Sequence, residues 1–353
     1  MNLDDINAIK NLDRGNAAVS IDMLPKQINQ AWVEGYSTNF PDSYKKAKNI
    51  VIAGMGGSAY GARILKSLYE HELKIPINLV NGYHLPAYVD KESLVFLSSY
   101  SGTTEETISC ASEAFARNTL VSGVTSGGKL AEILQKYPSF IFNPKFNPSS
   151  QPRIGVGYMV VGLLALLSKL EFINLTTPQV MSTITFISEK GVLLNLSSKT
   201  SDNEAKKLAQ NMHDGIPVFT IADFLEGAAH AIRNPINETG KQFGLYFTVP
   251  ELNHHLMEGL AFPQIAKKYL KFIFVESNLY EMQNQKRMKL TRDVVEKNGI
   301  ETQIIELKSR DKFTQSMELI QFGGWFTFYL AILNNIDPSP VPWVDYFKEK
   351  LLK

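Results

Sequence analysis

Cysteine is nearly absent from this chain. Its 353 residues include one, Cys110, so no disulfide can close within it and no thiolate metal cluster can be built, which fits a reducing compartment. Long hydrophobic runs are missing as well. The longest, residues 154–167, contains three glycines and falls short of the ~20 apolar residues that a bilayer-spanning helix needs. The first 26 residues are polar and mixed in charge, unlike a signal peptide. The expectation is a cytoplasmic protein with no membrane partner. Nor is there an excess of charge: 36 basic side chains face 35 acidic ones, a net +1. That balance excludes the broad electrostatic footprint of a nucleic-acid binder, so an anionic ligand must be held locally. Heptads, short repeats and low-complexity tracts are also lacking.

What is present is length and alternation. A chain of 353 residues exceeds what one hydrophobic core usually organises, and two α/β domains are the natural arrangement. Residues 1–48 read as helices, one of them opening around Ile21–Pro25 and running on through Gln27–Trp32. Short apolar strands follow at 48–53, 77–80, 94–97, 120–125 and 140–142, with helical spacing between them, as in Ile64, Leu65 and Leu68. A loop rich in Pro, Asn and Ser (143–152) leads to an apolar helix ending near Leu170, and polar helices then bridge to a second series of strands at 216–221, 245–249, 271–275 and 302–305. Strands alternating with helices predict parallel sheets covered on both faces. The expected fold is α/β with two doubly wound parallel-sheet domains, divided as 1–185 and 186–353.

Two strand-to-helix turns could carry chemistry. Gly54-Met55-Gly56-Gly57-Ser58 follows the first strand; glycines there let backbone N–H groups approach an anion, with the helix start adding positive partial charge. Tight packing alone would also explain those glycines. The turn lacks the Gly-Lys-Ser/Thr of a Walker loop, and Ala59 stands where a dinucleotide fingerprint needs its third glycine. Asn81, rather than an acid, ends the next strand, which further disfavours a dehydrogenase. The second turn, Ser99-Tyr100-Ser101-Gly102-Thr103-Thr104-Glu105-Glu106-Thr107, offers the hydroxyls of Ser99, Ser101, Thr103 and Thr104 beside a glycine and fresh helical N–H groups. A helix cap completed by Glu105 or Glu106 is the alternative. A cap needs one hydroxyl, however, and this turn has four. Hydroxyls and N–H groups without a lysine suit a phosphate monoester.

These two motifs resemble the signature of the sugar isomerase (SIS) domain. More narrowly, the chain is similar to the bifunctional phosphoglucose/phosphomannose isomerase family of the phosphoglucose isomerase superfamily. The likeness covers most of the chain. It extends to Leu24-Pro25-Lys26-Gln27, Arg153-Ile154-Gly155, Ile236-Asn237-Glu238-Thr239-Gly240-Lys241, Glu251-Leu252-Asn253-His254 and Ile336-Asp337-Pro338-Ser339-Pro340-Val341. The resemblance implies two SIS domains, a homodimer with His254 contributed across its interface, and an aldose–ketose isomerase acting on sugar 6-phosphates with no cofactor and no metal. It further implies that Gly57, Ser58, Ser99, Ser101 and Thr104 hold the substrate phosphate. Glu238 is then the base, His254 assists ring opening, Arg153 stabilises the enediolate and Lys348 acts near the ring oxygen. Ser339 is the small hydroxyl residue that the family links to tolerance of both C2 epimers.

The chemistry is coherent on its own terms. Moving a proton between neighbouring carbons suits one carboxylate. A fixed cation stabilises the charge that develops on oxygen, and histidine exchanges protons near neutral pH. Adjacent His254 and His255 could bring a metal to mind, but neighbouring helical residues diverge by about 100° and no further ligands accompany them. The remaining histidines, His71, His84, His213 and His230, read as surface or packing residues. Departures from the family pattern include Pro235, which predicts a kink or a fresh helix start just before Glu238, Gly324 ahead of an expected helix over 325–330, Thr239-Gly240, and His255-Leu256. A non-catalytic sugar-phosphate sensor is the rival reading. It would keep the serine turn but have no use for Glu238 and His254 together. An aminosugar-phosphate isomerase or deaminase would call for a second phosphate-type loop or an amidotransferase half, and neither appears.

Overall fold

The computed structural model describes residues 1–351 and contains two wholly parallel sheets. The first takes the order β2-β1-β3-β4-β5 from β1 (Asn49–Gly54), β2 (Ile77–Val80), β3 (Ser93–Ser99), β4 (Leu120–Thr125) and β5 (Phe140–Ile141). The second is β7-β6-β8-β9, built from β6 (Ile216–Ala222), β7 (Leu245–Val249), β8 (Leu270–Glu276) and β9 (Glu301–Glu306). In each sheet the first strand in sequence lies inside, and the chain winds outward on both sides of it, so a crevice opens at the carboxyl ends of the two central strands. The register places Gly54 beside Ser98 and Thr220 beside Phe274.

Side-chain alternation explains why the first sheet is covered twice. Ile50 and Ile52 of β1 and Leu94 and Phe96 of β3 join the large core, while Val51, Ala53, Val95 and Leu97 face the smaller cluster around Cys110. The Cys110 thiol is buried, donates to the Gly82 carbonyl and is pushed up to about 11 by desolvation, so it is an inert packing group. The large core is continuous across both halves. Two long apolar helices run through it, Val156–Lys169 and Lys312–Leu333, each buried along most of its length.

The helix expected over 325–330 is thus part of a much longer one. Gly324 lies inside it, where a Cβ would stand 3.2 Å from Ile21 Cγ2. Of the two outcomes expected at Pro235, a fresh helix start is not the one that forms: Glu226–Glu238 is one helix with the proline inside it. The ring removes a single backbone donor three residues from the end, and the Pro235 carbonyl itself receives the N–H groups of Thr239 and Gly240 at 2.7 and 2.9 Å.

Helix Tyr60–Tyr69 ties the halves together, packing against both Val156–Lys169 and Glu226–Glu238. Gly227 permits the second contact, since a Cβ there would lie 2.6 Å from Ile64 N and Cα. Backbone cannot retreat cheaply from such a clash. Gly227→Ala is expected to cost about 1–3 kcal/mol as overpacking, read as a lower urea midpoint with an unchanged m-value.

Candidate active site

The two strand-to-helix turns of the first sheet meet at its carboxyl edge. Gly56 takes φ +50° and Gly102 φ +70°, the left-handed region in which a Cβ is strained. At Gly102 a Cβ would also stand 1.7 Å from the Gly127 carbonyl oxygen. The turns are laced together: Tyr100 N–H donates to the Ser58 hydroxyl at 2.8 Å, and the Ser98 hydroxyl donates to the Ser58 carbonyl at 2.7 Å. Ser99 and Thr104 share a hydroxyl hydrogen bond of 2.8 Å, Gly102 N–H donates to Ser99 Oγ, and Ser101 pairs with Thr103 at 3.0 Å.

The capping alternative fails here. Thr104 occupies the N-cap of helix Glu105–Ala116, yet no side chain caps that helix. Its hydroxyl bonds to Ser99 instead, and Glu105 is engaged by the Tyr83 hydroxyl. The first-turn N–H groups therefore remain available beside a cluster of reorientable hydroxyls, which is the makeup of an anion cradle. The corresponding turn of the second half is different. Asp223, at φ +50° just after β6, accepts the Glu281 N–H at 2.9 Å and the Asn284 amide at 2.5 Å. At that crevice the protein's own carboxylate takes the donors an anion would use.

Arg153 links the cradle to the second half. Gly57 lets the first turn lie against it, with a would-be Cβ 3.3 Å from both Arg153 N and Pro152 C. The arginine is 4% exposed. Its Nε donates to Thr239 Oγ1 (2.8 Å), Nη1 to Gln151 Oε1 (2.7 Å), and Nη2 to the carbonyls of Pro338 (2.9 Å) and Ser339 (2.7 Å). The Glu238 carboxylate stands 3.7 Å from Nη1 and is about one-third exposed. Desolvation pulls the Arg153 value down, countered first by Glu238. Glu238 ends its helix, and that helix touches the Gly56–Ala59 turn.

The structure thus brings Gly57, Ser58, Ser99, Ser101 and Thr104 onto one edge, with Arg153 and Glu238 beside it. His254 is different. It ends the turn Glu251–His254 beyond β7, is exposed, and makes no side-chain hydrogen bond among the described residues; neighbouring His255 lies against the Phe247 ring. Lys348 is exposed on helix Pro342–Leu351, which buries none of its residues, although Asp345 one turn earlier is within electrostatic reach of Arg153. Ser339 presents its carbonyl to Arg153, while its buried hydroxyl is turned toward Gly15. Of the other histidines, His84 meets Glu113 and His213 meets Asp214 at the surface. His230 is buried between the rings of Tyr60 and Tyr246, where desolvation and two arginines hold it down at about 3. No group of three or more His, Cys, Asp or Glu side chains among the described residues could hold a metal ion.

Comparison with known proteins agrees with this geometry. A bifunctional phosphoglucose/phosphomannose isomerase of Caldicellulosiruptor bescii is 31% identical over 336 residues, spanning 94% of this chain and 98% of the relative. The chain belongs to that family. Residues 201–351 match the family model described as the bacterial phospho-glucose isomerase C-terminal SIS domain. Among solved structures, a hypothetical protein from Thermus thermophilus superposes with a TM-score of 0.73 at 16% identity, covering 98% of this chain and 93% of that one. A glucose-6-phosphate isomerase like protein from the same organism gives 0.61 at 16% identity, covering 96% and 98%. At such identities the superpositions bear on the fold, which is that of two SIS domains.

Within this phosphoglucose/phosphomannose isomerase fold, three side chains around Arg153 escaped the sequence reading. Thr239 and Gln151 are ordinary polar residues until the guanidinium reaches them. Lys241 follows Gly240 at the end of the stretch 236–241. It is left-handed (φ +52°), and its Nζ donates to the Glu238 carbonyl at 2.6 Å and the Pro338 carbonyl at 3.3 Å. Desolvation, then Arg153, lowers it to about 8. Between pH 8 and about 10.5 the unfolded chain therefore binds more protons at Lys241 than the folded one, and its contribution to stability rises with pH across that window. Urea titrations at intervals from about pH 7.5 to 10.5 should show this rise as a difference between wild type and Lys241→Met. Parallel curves would show that Lys241 titrates as an exposed lysine does.

Proposed function

We propose that this protein interconverts glucose 6-phosphate and mannose 6-phosphate with fructose 6-phosphate through a cis-enediolate, without a metal. Family membership supports the substrate class. The observation that carries the chemistry is a buried Arg153, held through four of its five N–H groups, with the Glu238 carboxylate 3.7 Å from Nη1, next to an uncapped helix start lined with hydroxyls.

The phosphate docks on the cradle of Gly57, Ser58, Ser99, Ser101 and Thr104, whose hydroxyls turn from one another to its oxygens. Glu238 removes the proton from C2 of the open aldose and returns it to C1 while the O2 hydroxyl proton passes to O1, so the carbonyl moves from C1 to C2 and one carboxylate serves as base and then acid. Negative charge grows on the substrate oxygen beside Arg153. Because four acceptors already hold that guanidinium, it need not reorganise as the charge appears. His254 assists ring opening and Lys348 acts near the ring oxygen. Both C2 epimers are reached when the enediolate turns about C2–C3 before reprotonation, with Ser339 close to that end of the site.

Two exposed features support a homodimer. His254 makes no side-chain hydrogen bond among the described residues, and helix Pro342–Leu351 leaves Trp343 82%, Phe347 62% and Leu351 56% exposed on successive turns. A second copy covering that stripe would bring His254 and Lys348 to a shared site. The chain is proposed to divide as 1–185 and 186–353, each part carrying one sheet, and to work in the cytoplasm with no nucleic-acid or membrane partner. No helix among the described residues is long and apolar enough to cross a membrane. A sensor that only binds sugar phosphate would gain nothing from the Arg153–Glu238 pair.

The test is isomerisation of fructose 6-phosphate in deuterated water without added metal, followed by NMR. Wild type should give aldose 6-phosphates deuterated at C2. Glu238→Gln should lose at least about 10³ of the rate while still binding glucitol 6-phosphate. Binding without turnover by wild type would overturn the proposal in favour of a sensor.

A further inference from the structure

Helix Glu226–Glu238 gives way to a residue that local chemistry disfavours. Thr239 and Gly240 send their N–H groups back to the Pro235 carbonyl, and Lys241 then turns left-handed at φ +52°. Just past a helix end that conformation ordinarily belongs to glycine or asparagine. A glycine is one position away, yet Gly240 is not the residue that adopts it. A long side chain held in this region is strained, and such strain persists where surrounding contacts fix it to serve a site.

Those contacts are specific. The Lys241 ammonium donates to the Glu238 carbonyl at 2.6 Å and to the Pro338 carbonyl at 3.3 Å. The Pro338 carbonyl also accepts Arg153 Nη2 at 2.9 Å, so two cations share one neutral acceptor. Arg153 meanwhile reaches Thr239 Oγ1 at 2.8 Å. The chain that bears Glu238 is therefore gripped at its own carbonyl by Lys241 and at the next residue by Arg153, with both cations anchored on the same loop. Packing alone gives no reason for the charge, since a neutral side chain would fill the space without standing beside a guanidinium. Arg153 acts on Lys241 more strongly than Asp337 and Glu238, the two carboxylates that face it.

We propose that Lys241 is a positioning residue for the isomerisation, its ammonium tying the main chain of Glu238 to the loop that grips Arg153. Base and cation then keep one spacing while the proton moves, a step in which misplacement by about 1 Å costs up to about 10²-fold. The inference rests on the isomerase reading and gives it a pH dependence. Burial, then Arg153, holds Lys241 at about 8. Above that pH the amine keeps two weaker donors in place of three charge-assisted ones, and a positive charge beside Arg153 is lost. The charged form is the working one, so the rate falls as pH rises. The substrate phosphate is already doubly ionised there.

Steady-state kinetics on the full chain with fructose 6-phosphate, from pH 7 to about 9.5, test the proposal. Wild-type kcat/KM should fall by about tenfold between pH 8 and about 9.5. Lys241→Arg, whose guanidinium stays charged, should remove that decline. Lys241→Met should lower kcat by about 10- to 100-fold at about pH 7.5 with KM within about threefold, since the phosphate cradle is untouched. Circular dichroism checks the fold of both variants, and the wild-type profile needs neither. A level wild-type profile, a decline that persists in Lys241→Arg, or a loss in Lys241→Met that falls on KM would each overturn the inference. Wild type without turnover at any pH would remove the isomerase reading and this inference together.

Discussion

A guanidinium taken out of water is the constraint on which the rest of this structure depends. Arg153 is 4% exposed, and a buried charge left unpaired costs several kcal/mol. The chain meets that demand with acceptors from separate stretches: Gln151 beside it, Thr239 after the helix bearing Glu238, and the carbonyls of Pro338 and Ser339 near the final helix. Satisfying one cation therefore fixes three segments relative to one another. The Glu238 carboxylate is positioned as a consequence, and the Gly56–Ala59 turn is held against the same backbone through Gly57.

The two sheets share a winding but not a role. Each places a left-handed residue shortly after its first strand. In the first half this is Gly56, beside open N–H donors; in the second it is Asp223, whose carboxylate accepts the Glu281 N–H and the Asn284 amide. One doubled architecture thus yields one turn with open N–H donors and one whose donors meet an internal acid. The second half contributes instead the helix that ends at Glu238.

Much of this was legible in the sequence because it rests on local patterns. Short apolar runs bounded by turn residues marked the strands to within a residue or two, and the glycine-rich turn after β1 and the hydroxyl-rich turn after β3, which the fold brings together, were visible through local chemistry alone. The α/β class with two doubly wound sheets followed from the alternation. What was not legible depends on distant contacts. Pro235 predicts a kink or a fresh helix start, yet so near the helix end it removes only one donor and the helix runs through it. Gly324 lies within a 22-residue helix rather than before a short one, because tertiary burial overrides its low helix propensity. Thr239, Gln151 and Lys241 acquire meaning only once Arg153 is buried among them. His254 and Lys348 came from family likeness; within the single chain both are exposed and apart from Glu238's immediate partners.

The central claim is that Arg153 serves the reacting carbons rather than the phosphate. The direct measurement is made on Arg153→Lys, which keeps the charge but loses the planar fork, after circular dichroism confirms the fold. Deuterium incorporation at C2 and the affinity for glucitol 6-phosphate are measured together. The account predicts that exchange falls by on the order of 10²–10³ while affinity stays within about threefold. Exchange close to the wild-type rate, or an affinity loss equal to the loss of exchange, would contradict it.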